Sequence, residues 1–180
     1  MEANSTYQKT YDRMQGMLSR LVPDFELREK AKLVVEINKL KRDRKAIILG
    51  HNYMEPALYH TVADFTGDSL ELCRKAATTD AEVIVFCGVE FMAETAKIIN
   101  PTRKVLIPSN RAGCSLAQSI TAEDVRRLKA QYPGVPVVTY INSYADVKAE
   151  TDVCCTSGNA VKVVQSLDTD TVIFIPDEYL

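Results

Sequence analysis

The pattern of apolar positions divides the chain into an N-terminal helical stretch and a series of short strands. Residues 27–42 carry Leu27, Ala31, Val34 and Leu40 among charged residues at roughly helical spacing, which predicts an amphipathic helix. The residues before position 27 show only a weak periodicity of apolar positions. Apolar runs without polar alternation follow, and such runs are typical of strands buried on both faces. These runs lie at 46–49, 83–86, 105–107, 137–141, 153–155 and 171–175.

Helix-length segments separate several of these runs. They lie at 69–77, 90–99 and 121–131, and the prolines fall outside them. An alternation of strand, helix and strand predicts an α/β fold with parallel sheets. We expect an N-terminal helical segment at 1–44, a first α/β unit at 45–110 and a second at 111–180 that is incomplete at its C-terminus.

An internal repeat supports two related units. At an offset of 88 the second half matches the first, in the pairs Asp64 and Asp152, Ser69 and Ser157, Phe86 and Phe174. The strand ends His51-Asn52 and Ile141-Asn142 match at an offset of 90, which implies two residues inserted between. Duplication explains this pattern, and chance is the alternative. In repeat architectures the shared site commonly lies where the units meet.

Polar residues follow the predicted strands. In parallel sheets ligands bind beyond the carboxyl ends of strands, so the common placement of these residues indicates a shared anion-binding site. Taken singly, each has an ordinary interpretation: His51 as a hydrogen-bonded structural residue, and the two serines as helix N-caps. The residues concerned are His51, Tyr53, Ser69, Cys114, Tyr140, Asn142 and Ser157.

Composition narrows the classes of function. The chain is 46% apolar and 26% charged with a net charge of -2, which is typical of a globular protein and indicates no nucleic-acid or membrane partner. With no secretory leader visible, a cytoplasmic location is expected. Five cysteines form no C-x-x-C pair, so each is a buried apolar residue, a metal ligand or a nucleophile. The common nucleotide-binding, zinc-protease and serine-hydrolase motifs do not occur.

Six motifs, from about Lys45 onward, resemble the quinolinate synthase family in order and spacing. They read GHNY at 50–53, ADFTGDSL at 63–70, GVEFMAETAK at 88–97, CSL at 114–116, YINS at 140–143 and TSGNAV at 156–161. The resemblance implies repeated three-layer α/β/α domains with parallel sheets about a pseudo-threefold axis, with two of the three units present here.

The resemblance also implies an activity. Members of this family condense iminoaspartate with dihydroxyacetone phosphate to give quinolinate in NAD biosynthesis, losing phosphate and two waters. They use a [4Fe-4S] cluster, held by one cysteine from each domain, whose open iron acts as a Lewis acid. A functional partner, L-aspartate oxidase or aspartate dehydrogenase, is expected to supply the iminoaspartate.

Family roles transfer to individual residues. Cys114 matches the first cluster ligand, and His51 and Tyr53 match a substrate-contacting acid/base pair. Ser69, Tyr140, Asn142 and Ser157 match residues that bind carboxylate or phosphate groups. The second and third cluster cysteines are expected after Leu180. Alternatives are an inactive truncated fragment, a metabolite-binding remnant without a cluster, and an unrelated sugar-phosphate lyase or isomerase.

Overall fold

A computed structural model of the protein describes residues 2–177 and groups them into two units. Unit 1 contains the residues up to Gly88 together with Thr95–Pro108. Unit 2 contains Val89–Glu94 together with the residues from Ser109 onward. The domain bounds expected from the sequence, 45–110 and 111–180, stay predictions. Within the described range, no helix is both long and apolar enough to span a bilayer.

The N-terminal residues of unit 1 form two helices, α1 (Glu2–Leu18) and α2 (Asp24–Asp43). The predicted helix at 27–42 lies within α2, where acidic residues in the first turn and basic residues in the last turn complement the helix dipole. α1 lies within the helical segment expected at 1–44, but its bounds were not predicted, because charged and polar neighbours dilute its helical spacing of apolar residues. The core of this helix pair contains Tyr11, Met14, Leu18, Leu27, Ala31 and Val34.

Unit 1 contains a four-stranded parallel sheet in the order β2-β1-β3-β4. Its strands are β1 (Ala46–His51), β2 (Phe65–Gly67), β3 (Val83–Cys87) and β4 (Lys104–Leu106). The helices that connect successive strands are α3 (Pro56–Thr61), α4 (Ser69–Ala77) and α5 (Glu90–Ile99). The central strands bury Leu49, Ile84 and Phe86. The prediction that each strand is buried on both faces is wrong for β4. This strand lies at the edge of the sheet, and its Leu106 is exposed.

Unit 2 contains a three-stranded parallel sheet in the order β6-β5-β7. Its strands are β5 (Val137–Tyr140), β6 (Val153–Cys155) and β7 (Ile173–Ile175). Its helices are α6 (Ala122–Gln131), α7 (Ala145–Glu150) and α8 (Ala160–Gln165), after a 3-10 turn at Ala117–Ser119. Its core contains Val125, Val137, Val147 and Ile175. The two parallel sheets confirm the α/β class.

The strand registers of the two sheets reproduce the repeat. β1 pairs His51 with Gly67, and β5 pairs Tyr140 with Cys155. The backbone N–H of the next residue then donates to the same partner strand, from Asn52 to the Gly67 carbonyl at 3.2 Å and from Ile141 to the Cys155 carbonyl at 2.8 Å.

These registers correct the alignment expected from the sequence. His51 corresponds to Tyr140, not to Ile141, and the first strand has an offset of 89 rather than 90. The following loop therefore differs by one residue between the units, and not by two. The sequence favoured the wrong alignment because it placed Asn52 on Asn142, an identity that the hydrogen bonds of the strands do not support.

Each unit also holds its first strand with an aspartate and a lysine. In unit 1, the Asp64 carboxylate accepts from the backbone N–H of Ile48 at 2.8 Å and pairs with Lys41 at 2.7 Å. In unit 2, Asp152 accepts from the backbone N–H of Val137 at 2.8 Å and pairs with Lys129 at 3.0 Å. The matched aspartates of the repeat therefore have a structural role.

Candidate active site

His51 is the last residue of β1, and its side chain is 5% exposed. Its Nδ1 accepts a hydrogen bond from the backbone N–H of Tyr53 at 3.4 Å. Burial lowers the pKa of His51 below its usual range, although the negative charge of Asp68 opposes this shift. The imidazole is therefore neutral at pH 7, and with Nδ1 as an acceptor its proton lies on Nε2.

Tyr53 lies beside His51 and is open to solvent. The two rings meet edge to face with their centroids 4.1 Å apart, and Tyr53 is 77% exposed. Its phenol is therefore open to solvent beside the imidazole. The structure brings this predicted pair together within unit 1.

Ser69 is the first residue of α4 and is buried. The N-cap interpretation of Ser69 is wrong, because the carboxylate of Asp68 caps this helix by accepting from the backbone N–H of Glu71 at 2.9 Å. β2 ends at Gly67, the sheet partner of His51. Ser69 therefore follows the strand that neighbours His51.

Tyr140 is the last residue of β5, and Asn142 follows it by two positions, with both side chains half-buried. The loop that carries Asn142 is closed by Ser143, whose hydroxyl donates to the Tyr140 carbonyl at 2.9 Å and lies 3.1 Å from the hydroxyl of Thr139. Unit 2 thus presents the predicted pair Tyr140 and Asn142 from one fixed turn.

Ser157 is exposed in the turn after β6. It is not a helix cap either, since α8 begins only at Ala160 after Asn159. The Asn159 side chain instead accepts from the backbone N–H of Thr156 at 2.7 Å, which closes the turn around Ser157.

The predicted site residues occupy matching positions in the two units. By the strand registers His51 corresponds to Tyr140 and Tyr53 to Asn142, while Ser69 and Ser157 follow the matching strands β2 and β6. Both groups lie at the carboxyl ends of parallel strands, as the topological rule predicts. That they form one site stays a prediction.

Cys114 lies half-buried in the loop before the 3-10 turn, and its carbonyl accepts from the backbone N–H of Gln118 at 3.0 Å. Burial raises the pKa of the thiols of Cys87, Cys154 and Cys155, which disfavours the thiolate that binds metals. Among residues 2–177, no group of three or more His, Cys, Asp or Glu side chains is arranged to hold a metal ion.

Sequence reasoning assigned no role to Glu94, although it quoted the motif that contains it. The Glu94 carboxylate is half-buried and accepts from the backbone N–H of Ala145, the first residue of α7, at 2.8 Å. Burial raises the pKa of Glu94 above its usual range. An acidic residue among the apolar positions of α5 was the available signal.

A family model described as quinolinate synthetase A protein matches residues 35–180. The chain belongs to this family. Its relatives include proteins named quinolinate synthase from Sinorhizobium medicae, 56% identical over 99% of this chain and 48% of the relative, and from Caulobacter vibrioides, 60% identical over 88% and 44%. A further quinolinate synthase, from Dehalococcoides mccartyi, is 61% identical over 81% of this chain and 48% of the relative.

These quinolinate synthases are about twice as long as the matched segment. The chain spans about half the length of the curated relatives it matches, from 44% to 48% in the three named. The resemblance seen in the sequence motifs is thereby confirmed at the level of the family.

Proposed function

We propose that the complete protein carrying this chain condenses iminoaspartate with dihydroxyacetone phosphate to give quinolinate in NAD biosynthesis. The observation that carries the proposal is identity of 56% over nearly the whole chain to a quinolinate synthase. The geometry at the end of β1 supports it, since a buried imidazole and an exposed phenol are in edge-to-face contact there.

His51 and Tyr53 are proposed as the acid/base pair. The neutral imidazole presents its Nε2 proton to a substrate oxygen, because the backbone N–H of Tyr53 occupies Nδ1. The Tyr53 hydroxyl, which is exposed, donates or accepts a proton at the reacting group. Burial of His51 keeps it uncharged, which favours hydrogen bonding over anion pairing.

The remaining predicted residues are proposed to bind the anionic groups of the substrates. Hydroxyl and amide donors suit carboxylate and phosphate oxygens. Ser69 opens the nine-residue helix α4, so its hydroxyl lies at the positive end of the helix dipole. Tyr140, Asn142 and Ser157 occupy the matching strand ends of unit 2.

Cys114 is proposed as one thiolate ligand of a [4Fe-4S] cluster. The described residues do not fit such a cluster by themselves, because Cys114 alone cannot hold four irons and no group of three or more His, Cys, Asp or Glu side chains among residues 2–177 is arranged to hold a metal ion. The other two cysteines are proposed to come from residues outside this chain. The proposed reaction takes place in the cytoplasm. L-aspartate oxidase or aspartate dehydrogenase is proposed to supply the iminoaspartate.

The ligand assignment is tested in the complete protein, purified without oxygen. Cys114→Ala should abolish the visible absorbance of the cluster and the formation of quinolinate, because one thiolate is lost. Cys154→Ala is the matched control, since Cys154 is a half-buried cysteine of the same unit whose pKa is raised by burial. Normal iron content in the Cys114→Ala protein would contradict the assignment.

The acid/base assignment is tested by Tyr53→Phe. Because the side chain is exposed, folding and iron content should stay unchanged while kcat falls, by about 100-fold for a lost general acid or base. Tyr59→Phe, on α3 of the same unit, is the control. Unchanged turnover in Tyr53→Phe would remove Tyr53 from this role.

A further inference from the structure

The first turn of α5 connects two loops of unit 2. The backbone N–H of Glu90 donates to the carbonyl of Ala112, two residues before Cys114, at 2.8 Å. One helical turn later the Glu94 carboxylate accepts from the backbone N–H of Ala145 at 2.8 Å. One rigid segment therefore holds the loop that carries Cys114 and the turn that follows Asn142.

Lys148 holds the same turn from its other side. Its Nζ donates to the carbonyl of Ser143 and lies 5.5 Å from the centroid of the Phe91 ring, on the first turn of α5. Ser143 itself is fully buried. The residues that follow Asn142 are thus held by groups of α5 and α7, while the Asn142 side chain stays partly accessible.

The groups around Glu94 have opposing effects on its pKa. Burial is the main cause that raises its pKa, and the neighbouring carboxylates of Glu90 and Asp146 add to this effect. The Ala145 N–H and the positive charge of Lys148 favour the ionised form. Placing a carboxylate in this half-buried position is unfavourable unless its hydrogen bond is made.

We propose that Glu94 is a positioning residue that fixes the turn after Asn142, from the same helical turn whose Glu90 N–H holds the loop of Cys114. The inference rests on the proposed function, in which Asn142 binds a substrate group. Glu94 acts through the backbone of Ala145 and is not itself a catalytic residue. Its loss should misplace Asn142 by freeing the N-terminus of α7, without removing any group that contacts the substrate.

The test compares two substitutions in the complete protein. Glu94→Ala removes the acceptor, whereas Glu94→Gln keeps a carbonyl oxygen at the same distance from the Ala145 N–H. Glu94→Ala should raise KM about tenfold while kcat changes less, because freeing the N-terminus of α7 misplaces Asn142, whose proposed contact with the substrate contributes to binding. Glu94→Gln should restore KM to within about threefold, which a purely electrostatic role for Glu94 would not predict.

A second measurement does not depend on activity. Hydrogen exchange followed by mass spectrometry should show faster exchange in peptides covering 141–148 for Glu94→Ala and near wild-type exchange for Glu94→Gln. Peptides covering α6 serve as the internal control. If Glu94→Ala fails to fold, Glu94→Asp, which is one methylene shorter, should give the same local increase in exchange.

Two results would overturn the inference. The first is a Glu94→Ala protein whose KM and whose hydrogen exchange at 141–148 both equal those of the wild type. The second is an equal rise in KM and in exchange in Glu94→Gln and Glu94→Ala. The proposed function fails separately, if the wild-type complete protein forms no quinolinate. In that case the exchange measurement still decides whether Glu94 holds the turn.

Discussion

Unit 1 and unit 2 use one backbone plan with different side chains at its functional end. At the last position of the first strand unit 1 has a buried imidazole, His51, and unit 2 has a half-buried phenol, Tyr140. Two positions later unit 1 has Tyr53 and unit 2 has Asn142. The two units thus place polar groups at the same backbone positions, while the side chains at those positions differ.

The residue before each strand end shows how the two units support that position differently. In unit 1 it is Gly50, where an added Cβ would lie 2.9 Å from the Cβ of Ala63. In unit 2 it is Thr139, which is fully buried and lies 3.1 Å, hydroxyl to hydroxyl, from Ser143. Unit 1 therefore depends on close backbone approach, and unit 2 on a network of hydroxyl groups.

Giving unit 1 the residue of unit 2 at position 50 should destabilise the protein most. Gly50→Thr should lower the free energy of unfolding by about 3 kcal/mol, because the new side chain overlaps Ala63. Urea unfolding checks this value. Gly50→Ala should show a smaller loss that Ala63→Gly partly reverses in the double variant, and purely additive losses would contradict the steric explanation.

The aspartates that hold the first strands should differ in importance. Asp64→Ala should cost about 2 kcal/mol and Asp152→Ala about 1 kcal/mol, since each leaves a strand N–H without its acceptor. The difference follows from exposure. The Lys41 and Asp64 side chains are 14% and 33% exposed, whereas those of Lys129 and Asp152 are 36% and 46% exposed. Water can therefore replace the lost acceptor more easily in unit 2. Equal losses in urea unfolding would contradict this reasoning.

The contribution of Asp152 should also depend on pH. The Val137 N–H first, and then Lys129, hold the pKa of this carboxyl below its usual range in the folded protein. Its stabilisation is therefore present above the unfolded pKa, about 3.9, and is lost as the pH falls through the lower folded pKa. The stability difference between wild type and Asp152→Asn should shrink below about pH 4.

The smallest effects concern the turn that enters each first strand. Both units need a left-handed residue there, and unit 1 uses Lys45 with φ of 45° while unit 2 uses Gly134 with φ of 80°. Gly134→Ala should cost about 1 kcal/mol, because a Cβ is strained in this conformation. Unfolding in urea measures the loss.

Lys45 offers the converse comparison. Lys45→Gly and Lys45→Ala both remove the ion pair with Glu82, but only glycine relieves the backbone. The glycine variant should therefore be the more stable of the two. A more stable alanine variant would show that this turn relaxes on substitution.

Most of the secondary structure was predictable from the sequence. The ranges 69–77 and 90–99 match α4 and α5, since both carry clear helical periodicity between buried strands. α3, α7 and β2 were not predicted, and within the helical segment expected at 1–44 only the helix at 27–42 had predicted bounds. β2 has three residues and α3 has six, so neither is long enough to establish a period in the sequence.

The candidate site was predictable in position and less so in detail. Strand ends in a parallel sheet are a topological property, so His51 and Tyr140 follow from the order of elements. The surroundings of Ser69 and Glu94 depend on which neighbour makes a given hydrogen bond, as with the Asp68 cap and the Ala145 N–H. Such competition between adjacent polar side chains has no signal in sequence spacing.

The cap of α4 has a consequence for how this protein tolerates mutation. Because the Asp68 carboxylate caps the helix, the hydroxyl at position 69 is not needed to start it. Helix capping and the side chain at position 69 are thus encoded by adjacent codons. Substitution of Ser69 can change the group presented at this strand end while the neighbouring codon keeps the helix intact.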